Sequence, residues 1–309
     1  TAYDGTIPGE SVLFTYEGDG TDIGMYSTVA SLPEDSNYYI KEGDETCWFQ
    51  IDPKPVTLSW QDEKTFVYDG TSKGISANVV GLVKGETQEL VYDGNAVNAG
   101  EYEMTASIPD GANYVFDEGE DGKCGYVIEK RDVTFAADEQ MKEYDKSLFD
   151  AESFSYTPIN VADTDDVSEI VDISYDGNAL TAVNAGIYDI KLIVNGEGKE
   201  KYDNYNVTVV DSLLTITKRK VSYTWQDERE FEYDGYEKYI SVESIERVID
   251  GDTVEVDSYS ERKINAGDYV MTATLAFNSN YELAKGEGSC EFSITKRSLL
   301  ITVNDKSKI

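Results

Sequence analysis

Carboxylates are the reactive groups this sequence offers in quantity. Three acidic glycine or aspartate loops, Glu17-Gly18-Asp19-Gly20-Thr21-Asp22, Asp117-Glu118-Gly119-Glu120-Asp121-Gly122 and Asp163-Thr164-Asp165-Asp166, carry the oxygen donors that Ca²⁺ prefers. None has the regular Asp-x-Asp-x-Asp-Gly ligand spacing, so each is expected to be a solvated turn, with weak calcium binding as the alternative and no metal ligand assigned. Pairs of carboxylates suited to acid–base work on a glycoside are inevitable among 61 acidic residues and single out no site. Histidine is absent, which removes a Ser-His-Asp triad and a histidine zinc site. Cys47, Cys124 and Cys290 lie 10, 11 and 10 residues after Asn37, Asn113 and Asn280, so they are one position in three repeats. They are expected to be small buried apolar residues in a closing strand, too far apart for a disulfide. Trp60, Trp225 and 23 tyrosines offer faces on which a sugar could stack. Both tryptophans fall on the inward phase of a strand and are assigned to core packing. No constellation names a nucleophile, a base and an orienting group, so neither an enzyme nor a cofactor site is expected.

A chain of 309 residues with 26 basic and 61 acidic side chains has a net charge of −35. Such a surface stays soluble and repels nucleic acid and anionic membrane, so neither is an expected partner. No apolar run reaches the length of a membrane span, and Thr1-Ala2-Tyr3-Asp4-Gly5 lacks the charge and apolar segment of a signal peptide. Both ends read as cuts within a longer polypeptide.

The elements that position these residues repeat. The figure Asn98-Ala99-Gly100-Glu101-Tyr102 returns as Asp22-Ile23-Gly24-Met25-Tyr26, Asn184-Ala185-Gly186-Ile187-Tyr188 and Asn265-Ala266-Gly267-Asp268-Tyr269, with tyrosine spacings of 76, 86 and 81 residues. That period is one small domain per repeat rather than a solenoid turn. After each glycine, alternate residues are apolar or small: Tyr102, Met104, Ala106, Ile108; Tyr188, Ile190, Leu192, Val194; Tyr269, Met271, Ala273, Leu275; and Tyr26, Thr28, Ala30, Leu32. This is the pattern of a half-buried antiparallel strand. Its lead-in resembles the tyrosine corner of immunoglobulin-like sandwiches, in which the phenol returns to nearby backbone. Met104, Ile190, Met271 and Thr28 stand where the core cysteine of that fold would be.

A second landmark opens each module: Val56-Thr57-Leu58-Ser59-Trp60, Val133-Thr134-Phe135-Ala136-Ala137, Val221-Ser222-Tyr223-Thr224-Trp225 and Leu299-Leu300-Ile301-Thr302-Val303, with odd positions inward. The fold expected is all-β, a tandem array of small Ig-like β-sandwich modules, with β-grasp-like modules as the alternative. Boundaries fall at 1–54, a repeat without its first strand that begins at Tyr3-Asp4-Gly5; at 55–131, 132–219 and 220–297, three full repeats; and at 298–309, the first strand of a following repeat. Junctions such as Ile128-Glu129-Lys130-Arg131 into Asp132 have almost no linker, which argues for a semi-rigid rod.

The ordered set Val-Thr-x-x-Trp, Tyr-Asp-Gly (Tyr68-Asp69-Gly70, Tyr233-Asp234-Gly235), Ala-Gly-x-Tyr, Asn-Tyr and closing Ile-x-Lys-Arg resembles the MBG and YDG-type tandem repeat domains of large bacterial surface proteins. The resemblance implies an extracellular or secreted all-β stalk of an adhesin, with no catalytic residues to carry over. Its partners would be neighbouring repeats of one long polypeptide. Two other readings follow from the residues: a module that binds host glycan or matrix protein, with the insert Gly196-Glu197-Gly198-Lys199-Glu200 of module three as its only distinguishing feature, and a fibre subunit in which residues 299–303 of one copy pair with module one of the next.

Overall fold

A computed structural model describes residues 4–306 and residue 308; Thr1, Ala2 and Tyr3 of the first module and Ser307 and Ile309 of the last segment lie outside the described residues. The period-two segments become strands throughout. In the first module β1 (Thr15–Glu17), β2 (Gly24–Ser31) and β3 (Thr46–Ile51) form a single antiparallel sheet. The second module has two sheets. One orders β6 (Ala77–Val80), β4 (Lys54–Trp60) and β9 (Tyr114–Phe116). The other orders β5 (Thr65–Val67), β10 (Lys123–Glu129), β8 (Gly100–Ser107) and β7 (Val91–Asp93).

The third and fourth modules repeat this plan. In the third, Tyr156–Ile159, Arg131–Ala137 and Tyr205–Val210 face Gln140–Glu143, Ser212–Thr217, Gly186–Asn195 and Asp172–Asp176. In the fourth, Val242–Glu246, Arg219–Trp225 and Tyr281–Leu283 face Glu230–Glu232, Ser289–Thr295, Gly267–Leu275 and Val256–Tyr259. A β-grasp module would lay a long helix over its sheet, whereas the α-helix among the described residues is the four-residue Val167–Ile170. The fold is an all-β sandwich.

Each sheet of the second module differs from a purely antiparallel one in a single place. β4 pairs parallel with β9, and β5 parallel with β10. The chain passes from one sheet to the other twice in the same sense, β4 into β5 and β9 into β10, and two such crossings bring the strands side by side with one direction. The corner strand β8 is antiparallel to both its neighbours.

Inward phases match the periodicity. Met104, Ala106, Ile190, Leu192, Met271 and Ala273 are buried, and so are Val56, Val133, Phe135, Val221, Tyr223 and Trp225 of the opening strands. Each of the valine, leucine, isoleucine, methionine and phenylalanine side chains among them, taken out of water, stabilises its module by about 1.5–3 kcal/mol. In the fourth module Tyr223, Trp225, Ile240, Met271, Cys290, Phe292 and Ile294 form one cluster. The corner phenols close back on the chain four residues upstream: Tyr102, Tyr188 and Tyr269 donate to the Asn98, Asn184 and Asn265 carbonyls at 3.0, 2.8 and 2.8 Å. A Cβ on Gly100 or Gly186 would lie 3.1 Å from the returning phenol oxygen, so glycine makes room for it.

The chain divides into two compact units, one made of Thr1–Arg131 with Ala162–Asp166 and Asp203–Asn206, the other of Asp132–Val161, Val167–Tyr202 and Val207–Ile309.

Among the described residues the first module has one sheet, with no strand equivalent to β4 beside it. Gly5 (φ 99°) and Gly9 (φ 96°) take the conformations of Gly81 (φ 100°) and Gly85 (φ 93°). The turns they flank also match, with Glu10 N–H bonded to the Ile7 carbonyl as Glu86 N–H is to Val83. Asp4-Gly5 therefore aligns with Val80-Gly81 and not with the turn Tyr68-Asp69-Gly70. With no β4 to pair with, residues 38–40, the counterpart of β9, are not a strand. The inner face of the sheet is left open: Phe49 is 36% exposed, against 2% and 4% for its equivalents Tyr126 and Phe292.

The cysteines follow the same gradient, and burial is not shared as their common position predicts. All three are free; Cys290 is buried, Cys124 half-buried and Cys47 exposed, and among the described residues no strand lies over Cys47. Alkylation of the native protein is expected to proceed in the order Cys47, Cys124, Cys290; equal rates in a peptide-mapping time course would contradict this sheet assignment.

Candidate functional site

The polar groups that recur from module to module converge at the joints. Each module carries an Asn-Tyr pair just before its β9-type strand and a turn that holds a carboxylate beside that tyrosine. In the first unit, the Ile23 N–H donates to Asn113 Oδ1 at 2.8 Å and Asn113 Nδ2 donates to Asp22 Oδ1 at 2.8 Å. The Asn113 carbonyl accepts from Lys54 N–H at 2.8 Å, so one residue ties the first module's corner turn to the start of β4. Tyr114 donates to Glu86 and accepts from the Val83 N–H.

The arrangement occurs again in the same unit. The Ala99 N–H donates to Asn204 Oδ1 at 2.8 Å and Asn204 Nδ2 to Asn98 Oδ1 at 3.2 Å. Asn204 is buried, and Tyr68 and Tyr205 both donate to Asp165 Oδ2 at 2.8 Å, their rings edge to face at 5.4 Å. Gly70 is required here, since a Cβ would lie 1.7 Å from Thr164 Oγ1.

The second unit holds the fullest version, between modules three and four. Asn280 Oδ1 accepts from the Ala185 N–H and its Nδ2 donates to Asn184 Oδ1, both at 2.9 Å. Tyr144 and Tyr281 donate to Asp252 Oδ2 at 2.9 and 2.8 Å, their rings edge to face at 5.5 Å. Lys146 completes the cluster with its ammonium 2.8 Å from Asp252 Oδ1. Lys146 stands where the Tyr-Asp-Gly turns have glycine and keeps the positive φ of 66°; a strain of about 1–2 kcal/mol is offset by its ion pair at the joint. On the flank Glu143 bridges Arg219 and Arg247 at 3.4 and 3.3 Å. Edge-to-face rings around a carboxylate, with every buried donor matched, make a directional contact that a purely apolar junction would lack.

Protonation follows from this packing. Burial first, and then Asp252, pushes the Tyr144 hydroxyl up to about 12; burial also raises Tyr205 to about 12, and Tyr68 and Tyr281 move the same way for the same leading reason. Hydrogen bonding from Lys146, then Tyr281, holds the Asp252 carboxyl below its ordinary 3.8. A phenol raised above its unfolded value of 10 contributes stability that is complete below pH 10 and lost as pH climbs through 12. A depressed carboxylate contributes above pH 3.8 and loses its share only in stronger acid. In an alkaline titration Tyr144 and Tyr205 are expected to ionise only near pH 12, together with loss of tertiary circular dichroism. Ionisation of all 23 tyrosines near pH 10 with the fold intact would contradict the arrangement.

The residues singled out as candidates in the sequence fall partly at these joints. Asp22 and Asp165, read as calcium-loop residues, accept from Asn113 and from two tyrosines. In residues 117–122, Glu120 Oε2 accepts from the Leu58 N–H at 3.0 Å, and Asp117 and Asp121 accept from N–H groups of their own turn. Among the described residues no group of three or more Cys, Asp or Glu side chains converges as metal ligands do. Trp225 is enclosed between Tyr223 and Tyr259 and Trp60 is half-buried against Tyr92, whereas Trp48, which the strand phases do not single out, is 65% exposed. The insert of module three, Gly196-Glu197-Gly198-Lys199-Glu200, folds onto its own module, with Lys199 paired to Asp172. Residues 299–303 form no strand and are exposed.

No protein-family model matches the chain, and comparison with curated proteins also finds no match.

Proposed function

We propose that this chain is a structural stalk segment of a bacterial cell-surface or secreted adhesin, acting outside the cell as a spacer and not as an enzyme. The observation that carries the reading is the recurrent joint: the same asparagine clasp and tyrosine–carboxylate contact, made by equivalent residues of successive modules. A pull along a tandem array crosses every junction, and a junction with almost no linker resists bending only if its two faces are tied. One residue, Lys130, separates β10 from the next strand at Arg131, and Lys218 alone separates Thr217 from Arg219. The net charge of −35 keeps such an array apart from its neighbours and in solution. The resemblance to MBG and YDG-type repeats supports the bacterial surface setting through the order of motifs alone.

Small-angle scattering of the chain lacking residues 298–309 tests the reading. The expected particle is elongated, on the order of 150 Å, with a profile unchanged by calcium or chelator. A profile of freely jointed beads would overturn it.

A further inference from the structure

We infer that each full module is a tension clamp: its first and last strands, through which a pull along the array enters and leaves, are each held between two neighbours and loaded in shear. The inference deepens the stalk reading and rests on the modules standing in a tandem array under tension.

The joints fix the two ends of module two. Asn113, one residue before β9, clasps Asp22 and Ile23 of the first module and accepts the Lys54 N–H at the start of β4. At the other end Tyr68, directly after β5, meets Asp165, and the corner turn before β8 is clasped by Asn204, both residues of module three. The strands β4 and β9 therefore start at the end facing module one, and β5 finishes at the end facing module three. Parallel pairing brings β10 to that same end, with Glu129 opposite Val67 and its carbonyl accepting the Tyr68 N–H at 2.9 Å. Tension enters at Lys54, leaves at Glu129, and runs along the strands.

Neither of these strands is an edge. β4 lies between β6 and β9, and β10 between β5 and β8. In module three Arg131–Ala137 and Ser212–Thr217 are flanked on both sides in the same way, and in module four so are Arg219–Trp225 and Ser289–Thr295. Ladder hydrogen bonds lie across the strands, so a pull along the strand axis strains all the bonds of a strand together. A strand drawn sideways from an edge opens its bonds one after another. A sandwich whose first and last strands lay at its edges would peel under the pull that this arrangement resists.

The clamp has a weaker half. The last strand, β10, pairs with three residues of β5 and six of β8, whereas the first, β4, pairs with three of β9 and four of β6. Module four keeps the same difference: Ser289–Thr295 pairs with three residues of Glu230–Glu232 and six of Gly267–Leu275, and Arg219–Trp225 with three of Tyr281–Leu283 and four of Val242–Glu246. The ladder of Arg219–Trp225 is further interrupted by a register shift between Thr224 and Trp225. Rupture under tension therefore begins at the first strand, while the last strand stays seated.

Single-molecule force spectroscopy on the full chain, with its native cysteines replaced by alanine, tests this through handles on cysteines placed at two pairs of exposed positions. Asp52 with Lys130 stretches module two from end to end, and Glu89 with Asp110 draws β7 away from β8 at their open end. The fold under load is the same in both, so a difference in force reports direction and not stability. End-to-end rupture is expected in one step that releases on the order of 250 Å of chain, at a force at least about three times that needed at the edge. Val56→Ala on β4 should raise the end-to-end rupture rate by about tenfold or more, and Ile128→Ala on β10 by less than about threefold, although both positions are buried and both changes lower the urea midpoint. The two handle pairs decide the matter even where a core variant does not fold. Equal forces for the two pairs, gradual end-to-end extension, or a larger effect at Ile128 than at Val56 would overturn the inference. If scattering still shows a rod, the stalk reading survives that failure; freely jointed beads whose modules resist end to end would remove the stalk reading and leave the clamp.

Discussion

Replacing Asp252 with leucine is expected to lower the stability of the second unit by about 2–4 kcal/mol and to uncouple modules three and four. The carboxylate has three donors: the Tyr144 and Tyr281 hydroxyls and the Lys146 ammonium. Both tyrosines are buried, so removing their shared acceptor leaves two phenols without a partner, at about 1–3 kcal/mol each less what water recovers. Leucine is close enough in volume that cavity formation is a small part of the loss. Asp227→Leu, at an exposed acid away from the joint, should stay within about 0.5 kcal/mol. Combining Asp252→Leu with Tyr144→Phe should cost less than the two singles added, because the phenol orphaned by the first change is deleted by the second. Urea unfolding monitored separately in the two modules checks the result; an Asp252→Leu protein that melts like the parent would remove the tyrosine–carboxylate contact from the account.

A loss of about 3–5 kcal/mol is expected for Trp225→Ala, the largest for a single core truncation in the fourth module. Trp225 is 5% exposed, stands edge to face with Tyr223 and Tyr259, and shares its cluster with Ile240, Met271 and Phe292. Truncation opens a cavity that the two sheets cannot collapse into without breaking strand pairing. Trp48→Ala, at an exposed position on β3, should change stability by less than about 0.5 kcal/mol. Trp60, half-buried, should fall between them. Denaturant midpoints of the three variants give the ordering, and a Trp225→Ala protein as stable as Trp48→Ala would place that tryptophan outside the core.

Most of the sandwich could be read from local pattern, because each strand buries one face and the side-chain period of two is a local property. Met104, Ile190 and Met271 are buried on that basis, and the corner tyrosines return to backbone four residues away, a contact within one turn. The joint was not legible in the same way. Asn280 reaches Ala185 across 95 residues and Asn113 reaches Ile23 across 90, and a lone asparagine in a loop carries no period or spacing to announce its partner. The recurrence of Asn-Tyr was visible and marked repeat phase; its role depended on which turn the next sheet faced.

Cys47 and Asp4-Gly5 show the converse failure. Cys47 occupies the same position as Cys290, but burial is conferred by the strand opposite, and among the described residues none lies opposite Cys47. Asp4-Gly5 follows a tyrosine like two true Tyr-Asp-Gly turns, yet backbone conformation aligns it with Gly81, since a three-residue motif is too short to determine register.

The claim on which the account depends is that the asparagine and tyrosine–carboxylate contacts hold adjacent modules in one orientation. Module four and all of module three except residues 162–166 and 203–206 lie within one compact unit and test it most directly. Spin labels at Ile193 and Val270, both exposed, in a chain whose native cysteines have been replaced, report the distance across that joint by double electron–electron resonance. A single narrow distribution is predicted for the parent protein, with broadening when Asn280→Ala and Asp252→Leu are combined. A distribution already broad in the parent, or one the double variant leaves unchanged, would contradict the claim.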